Sequence, residues 1–336
     1  MIIHDSNLDI TFWAEYLKGN WRKGITNLEY IMQAPQSAEA FILNRHGLQL
    51  IYGIEDRNSV QLREVIERHG WADLAIAMYF NQLFSWNYRN WSEIILNAAA
   101  METIASNKVA IETMRDSDTA MRAVATSYIA VAAIVQENDA FSAIMDRSEA
   151  GAIFAEMDIT VAGKMTAILI GKNPNDFDDM NSVISNTAAL GAMVESEVAM
   201  RGVVASSTAM TAVAASSTAM AAVGANATAR AAIVASSAAT SALASSPLID
   251  SVSGTVAGDT TIRQQRAGRV WIVSARSWDS SSSWPLRIHD LLETPATRDI
   301  SNTNYIAVNR FASRIAISHP TNPAGTRAWG FRFIPC

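Results

Sequence analysis

The chain has 336 residues, 49% of them apolar, which is room for two or three domains and a sizeable buried core. Only 17% of the residues are charged, against about a quarter in an average globular chain, and the net charge is −6. A single cysteine, Cys336, excludes an internal disulfide and a Cys-based metal site, and it fits assembly in a reducing cytoplasm.

Charge is unevenly spread. Residues 251–336 carry ten basic residues, all arginine, against five acidic ones, whereas residues 1–100 and 101–250 are each net acidic. A basic C-terminal part suits a polyanion, a cell-surface sugar acid or an acidic neighbouring subunit. The opening "MIIHDSNLDI" lacks a basic segment followed by a long apolar one, so no secretory leader is expected. The longest apolar run, "YIAVAAIV", is too short to span a bilayer, and no membrane insertion is expected.

Residues 1–90 are predicted to form a compact helical domain for attachment or capping. "DITFWAEYLKGNW" reads as an amphipathic helix after Asp9, with further helices in "SAEAFILNRHGLQLIYGIE" and "SVQLREVIERHGWADLAIAMYFNQLFSW". Gly47, Gly53 and Gly70 are the expected breaks.

Residues 91–250 repeat every ten residues. Apolar pairs three apart recur at Met101/Ile104, Ile111/Met114, Met121/Val124, Val131/Ile134 and Phe141/Ile144. After "GKNPNDFDD" they return, displaced by one position, at Met180/Val183, Leu190/Met193, Met200/Val203, Met210/Val213 and Met220/Val223. The pairing within each unit is helical. Ten residues advance an apolar stripe by about −80° on a continuous helix, so one long coiled coil is excluded. The polar patches therefore break the helix: "TS" at 126–127, "END" at 137–139, "DRS" at 146–148 and "SS" at 206–207 and 216–217 supply N-caps. The expectation is a thin α-solenoid shaft of very short helices, with Met121, Val124, Met200, Val203, Met210, Val213, Met220 and Val223 in its core. Ala/Ser-rich disorder is the alternative, which the strict apolar pairing opposes.

Residues 251–336 switch to period two. "RVWIVSARSW", "YIAVNRFASRIAIS" and "RAWGFRFIP" read as strands of a small antiparallel β tip, and "SVSGTVAGDTT" reads as a linker to it. The fold class is thus α + β multidomain. Trp278, Trp284, Arg287, Arg327 and Trp329 are candidates for a recognition surface, with core packing as the alternative for each tryptophan.

Catalytic chemistry is sparse. "PLRIHDLLE" holds the one acid–base cluster of the tip, His289, Asp290 and Glu293, but no nucleophile-elbow glycine pattern accompanies it. No histidine pair has zinc spacing, and "NDFDDM" lacks the order of a calcium loop and reads as a solvated hinge. No phosphate loop or basic nucleic-acid stretch is present. No catalytic, metal or cofactor residues, and no nucleic-acid partner, are therefore expected.

The run "SSTAMTAVAASSTAMAAV" (206–223) resembles the Ala/Met/Ser decapeptide repeats of tail-fibre and other appendage proteins of tailed bacteriophages. The layout is similar too: a helical attachment region, a repetitive shaft and a β-rich tip. The resemblance implies a non-enzymatic virion protein, assembled in the host cytoplasm. Its partners would be tail, neck or baseplate proteins, further copies of itself (a trimer first), and a host-surface glycan or protein. The alternatives are a neck, collar or baseplate component whose repeats wrap a ring, and a polysaccharide-degrading spike, which would need a carboxylate pair in a groove.

Overall fold

The computed structural model describes residues 21–52, 57–257, 261–277, 285–318 and 326–336. The helix expected after Asp9, the break at Gly53 and the loop residues Trp278 and Trp284 lie outside them. The described chain is rich in short helices up to residue 244 and ends in an antiparallel, unclosed β-sheet. Its internal contacts divide it into two units, Met1–Met157 and Asp158–Cys336.

In the first unit, helices α1 (Trp21–Gln33), α2 (Pro35–Ile42), α3 (Arg45–Tyr52), α4 (Arg57–Arg68) and α5 (Ala72–Phe84) bury Leu28, Phe41, Ile51, Val65, Ile76 and Phe80 among themselves. The helical stretch expected from residue 37 on does break, but three residues before the expected Gly47. Asn44 breaks it, because its Oδ1 accepts from the backbone N–H of His46 and Gly47 at 3.0 and 3.1 Å and so caps α3. Gly47 lies inside α3, where a Cβ would come within 2.9 Å of the Phe41 ring. Gly70 does make the expected break between α4 and α5, at φ +76°.

Seven shorter helices follow: α6 (Trp91–Ile95), α7 (Ala98–Ala105), α8 (Lys108–Arg115), α9 (Asp118–Thr126), α10 (Tyr128–Gln136), α11 (Asn138–Met145) and α12 (Ser148–Ala155). Helices of eight or nine residues are too short to persist alone, so tertiary packing must hold them. They pack α7 on α10, α8 on α11 and α9 on α12, as well as on their neighbours in sequence. Met101, Ile104, Met114, Met121, Val124, Val131, Ile134 and Ile144 are all completely buried in that packing.

Asn90, Asn97, Asn107, Ser117 and Ser127 cap α6 to α10, each accepting from a backbone N–H of the first turn. At the next two corners the expected caps fail. The cap positions fall on Glu137 and Arg147, which make no side-chain cap, while Asn138 and Ser148 are already helical. Packing of the apolar pairs sets where each corner falls, and the polar patch supplies a capping residue one place too late. At Ser127 the helix axis turns by 102°.

The second unit opens with α13 (Ile159–Leu169), a 3-10 turn (Pro174–Asp176) and α14 (Met180–Ser185). Asp179 of the expected hinge begins α14 with a reciprocal capping box to Ser182. It also crosses α13 at Gly163, where a Cβ would lie 2.2 Å from the Asp179 carbonyl carbon, so only glycine fits. Helices α15 (Thr187–Glu195), α16 (Glu197–Ala205), α17 (Ser207–Ala215), α18 (Ser217–Ala225), α19 (Ala227–Ala235) and α20 (Ser237–Ala244) continue. They are capped in order by Asn186, Ser196, Ser206, Ser216, Asn226 and Ser236. Again each helix packs on the one three along, from α13 on α16 to α17 on α20. Met200, Val203, Met210, Val213, Met220 and Val223 are completely buried.

The strands are β1 (Asp250–Ala257), β2 (Arg263–Arg266), β3 (Val270–Ser277), β4 (Leu286–Leu291), β5 (Arg298–Ile300), β6 (Ile306–Ser318) and β7 (Thr326–Pro335). They run in the order β1-β7-β3-β6-β4-β5, with β2 also paired to β6. The expected linker "SVSGTVAGDTT" is in large part strand β1, which pairs residue by residue with β7 from Asp250↔Phe333 to Ala257↔Thr326. Val252 and Val256 alternate with Ser and Thr there, which is period two under a composition that reads as linker. One face of the sheet encloses Val270, Ile272, Leu286, Ile288, Ile300, Ile315, Ile317, Trp329, Phe331 and Phe333. Part of the other face meets the helices of its unit, β7 against α18 and β6 against α19.

Candidate functional site

Strands β4, β5 and β6 bring a band of polar side chains together on the sheet. Register places Arg287 opposite both Asp299 and Ser318. Arg287 donates two parallel hydrogen bonds to Asp299, from Nε at 2.6 Å and Nη2 at 2.7 Å. His289, two residues along and so on the same face, has its Nε2 2.8 Å from the Ser318 hydroxyl. Burial holds the His289 pKa below the ordinary imidazole value; the nearby Asp290 carboxylate opposes that shift and Arg287 adds to it.

Asp290 does not continue the alternation. It adopts φ +57°, where the β4–β6 register shifts, a bulge that re-aims its side chain. The carboxylate accepts from Arg314 Nε at 2.7 Å, and Arg314 also donates to Gln264 at 3.1 Å. Asp290 is therefore committed to an ion pair. A serine and a histidine do meet here, but Ser318 is only 4% exposed, and no carboxylate among the described residues is bonded to the histidine ring. The geometry is that of a cross-strand polar ladder.

The third acid of the cluster goes elsewhere. Glu293 Oε2 accepts from the Phe311 backbone N–H at 3.0 Å, and Oε1 lies 3.9 Å from Arg230 Nε of α19. Arg230 also donates to the Gly224 carbonyl at 2.9 Å, tying sheet to helices. Burial raises the Glu293 pKa above the usual carboxylate range, against the lowering effects of the Phe311 N–H and Arg230.

Of the candidate recognition residues, Arg287 is half-exposed and paired as described, and Arg327 lies in β7 opposite Val256. Trp329 is 4% exposed, and most of its ring packs within the apolar core. The reason is its register: it shares the buried face with Phe331 and Phe333. An exposed aromatic does occur at Tyr305, 38% exposed, with the Arg276 guanidinium stacked 5.0 Å from its ring centre. Gly330 makes room for this stack, since a Cβ there would lie 2.6 Å from the Tyr305 hydroxyl. Nothing local in the sequence marks that pairing, because Arg276 and Tyr305 meet only through the fold of the sheet.

The first unit holds a second charged site, a cleft of about 540 Å3 lined by Arg63, Glu64, Glu67, Arg68, Asp116, Asp118 and Arg147. Asp116 binds three guanidiniums: Arg115 at 2.9 Å, Arg63 at 3.6 Å, and Arg147. Glu67 accepts from the hydroxyls of Ser117 and Thr119 at the start of α9. These bonds join α4 to the corners of α9 and α12, and they consume most of the charge in the cleft. Among the described residues, no group of three His, Cys, Asp or Glu is placed to hold a metal ion. No protein-family model matches the chain, and no curated protein matches it either.

Proposed function

We propose that this is a structural virion protein, a tail fibre or similar appendage of a tailed bacteriophage, in which the helices carry and the sheet recognises. The N-terminal helices dock to the particle, and the β-sheet contacts a host-surface glycan or a partner fibre. In each unit the short helices are read as a decad-repeat α-solenoid with three helices to a turn. The working form is a homo-oligomer, a trimer first, with no catalytic role.

One observation carries the repeat reading. Three corner serines donate to carbonyls the same distance back along the chain: Ser127 to Ile95, Ser236 to Val204 and Ser246 to Ala214, each spanning 32 residues. A coil of three ten-residue units places each corner beside the end of a helix one coil earlier, which accounts for that constant span. Repeats of this kind set distances and present surfaces. The phage assignment rests on the resemblance of residues 206–223.

Electron microscopy of tailed particles from lysates of the organism that encodes this chain, labelled with gold-conjugated antibody to residues 250–336, tests the assignment. Label at the particle periphery is expected. Absence of the chain from purified particles would overturn it, and label confined to the neck would move the protein to a collar.

A further inference from the structure

We propose that the sheet carries, where the C-terminal end of β3 meets the start of β7, a binding site for one carboxylate-bearing sugar residue, held by Arg276 beside Tyr305. The inference deepens the recognition role proposed above and rests on it. Every described side-chain carboxylate of residues 250–336 already has a guanidinium. Asp250 has Arg266 at 3.8 Å, Asp290 has Arg314 at 2.7 Å, Glu293 has Arg230 at 3.9 Å and Asp299 has Arg287 at 2.6 Å. Among the described residues, Arg276 and Arg332 have no carboxylate partner, and both are exposed. Register sets them diagonally across the strand pair, since Ser274 is opposite Arg332 and Arg276 opposite Gly330, while Ala275, Phe331 and Phe333 point into the core.

A cleft of about 250 Å3 adjoins Arg276, lined by Arg276, Ser277, Thr303, Ala328 and Trp329, with no acidic side chain among the described residues of its wall. The chain beside it is braced by the Ser277 N–H donating to the Asn302 carbonyl at 2.7 Å, and Asn302 in turn accepts from the Asn304 N–H. Stacking on Tyr305 orients Arg276 before any ligand arrives, so little order need be lost on binding. The guanidinium fork then matches a carboxylate in a two-bond arrangement. Thr303 offers a hydroxyl to the ring hydroxyls, and Ala328 an apolar wall to a pyranose face.

Ligand-observed NMR on the full chain tests this with D-glucuronate, D-glucose and acetate at one ionic strength. Glucuronate is expected to bind, with glucose and acetate each at least about tenfold weaker, a gap of about 1.4 kcal/mol. Arg276→Ala should weaken glucuronate by about tenfold or more, and Arg276→Lys by less, with unchanged circular dichroism. Glucose binding as well as glucuronate, acetate matching glucuronate, or an unaffected Arg276→Ala variant would each overturn the site. Loss of this site while antibody still labels the particle periphery would remove only the sugar-acid assignment, because the particle labelling does not depend on Arg276.

Discussion

Gly224 in α18 and Cys336 beyond β7 approach so closely that a Cβ on the glycine would lie 2.5 Å from the cysteine Cβ and 3.2 Å from Arg269 Cδ. The sheet is thus seated directly on the helices of its unit. The Cys336 N–H donates to the Arg269 carbonyl at 2.9 Å, and burial pushes the thiol up to about 12. In a free helix Gly→Ala stabilises by about 0.5–1 kcal/mol. Here overpacking costs about 1–3 kcal/mol and outweighs that gain. Gly224→Ala should therefore lower stability in urea denaturation, and Cys336→Gly should recover most of the loss. A more stable Gly224→Ala variant would show that the seat is absent.

The corner serines do two jobs where they are buried. Ser127 is 4% exposed, donates to Ile95 O at 2.7 Å and accepts from Ala130 N at 3.3 Å. Ser127→Ala loses a cap, about 1 kcal/mol, and leaves a buried carbonyl unpaired, about 1–3 kcal/mol more. Asn97→Ala at an exposed corner loses only the cap, about 1 kcal/mol. Equal losses in chemical denaturation would mean that the bond to the Ile95 carbonyl contributes nothing.

Asp116 neutralises guanidiniums that packing has hidden from water, Arg63 above all, at 5% exposure. Asp116→Asn leaves a buried charge without its partner and should cost about 3–5 kcal/mol. Asp118→Asn, an exposed first-turn carboxylate two residues on, should cost about 0.3–1 kcal/mol through the helix dipole. Hydrogen exchange should place the Asp116→Asn damage at the contact of α4 with α9.

Glu293 gives a pH dependence of defined sign. Its folded pKa is raised, so the folded state holds its proton more tightly than the unfolded one. Its contribution to stability is complete below the unfolded carboxyl value and is lost as pH rises through the folded one. Glu293→Gln keeps an acceptor for the Phe311 N–H and removes the cost of a buried charge. Thermal melts should show the variant at least as stable as the parent at pH 7, with the difference vanishing at pH 4. A Gln variant less stable at pH 7 would mean that the ion pair with Arg230 dominates.

Side chains whose neighbours lie three or ten residues away were readable from the sequence. Met200, Met210 and Met220 repeat the same helical environment, and all three are completely buried. Features set by long-range register were not. Val252 and Val256 lie among Ser, Gly and Thr that suit a linker, and only pairing with β7 makes them strand. Trp329 is core because it shares a strand face with Phe331 and Phe333, while the exposed aromatic, Tyr305, is 29 residues from its Arg276 partner. Corner placement obeys the apolar pairs, so Glu137 and Arg147 occupy cap positions that local propensity assigns to Asn138 and Ser148.

Binding of the fluorescently labelled full chain to intact cells of the candidate bacterial host tests the central claim most directly. It should be measured with Fab fragments against residues 250–336 and, separately, against residues 98–145. Saturable binding, blocked by the first Fab and untouched by the second, is the predicted result. Binding that survives the first Fab, or no binding to cells at all beside tight binding to purified particle components, would contradict recognition by the sheet.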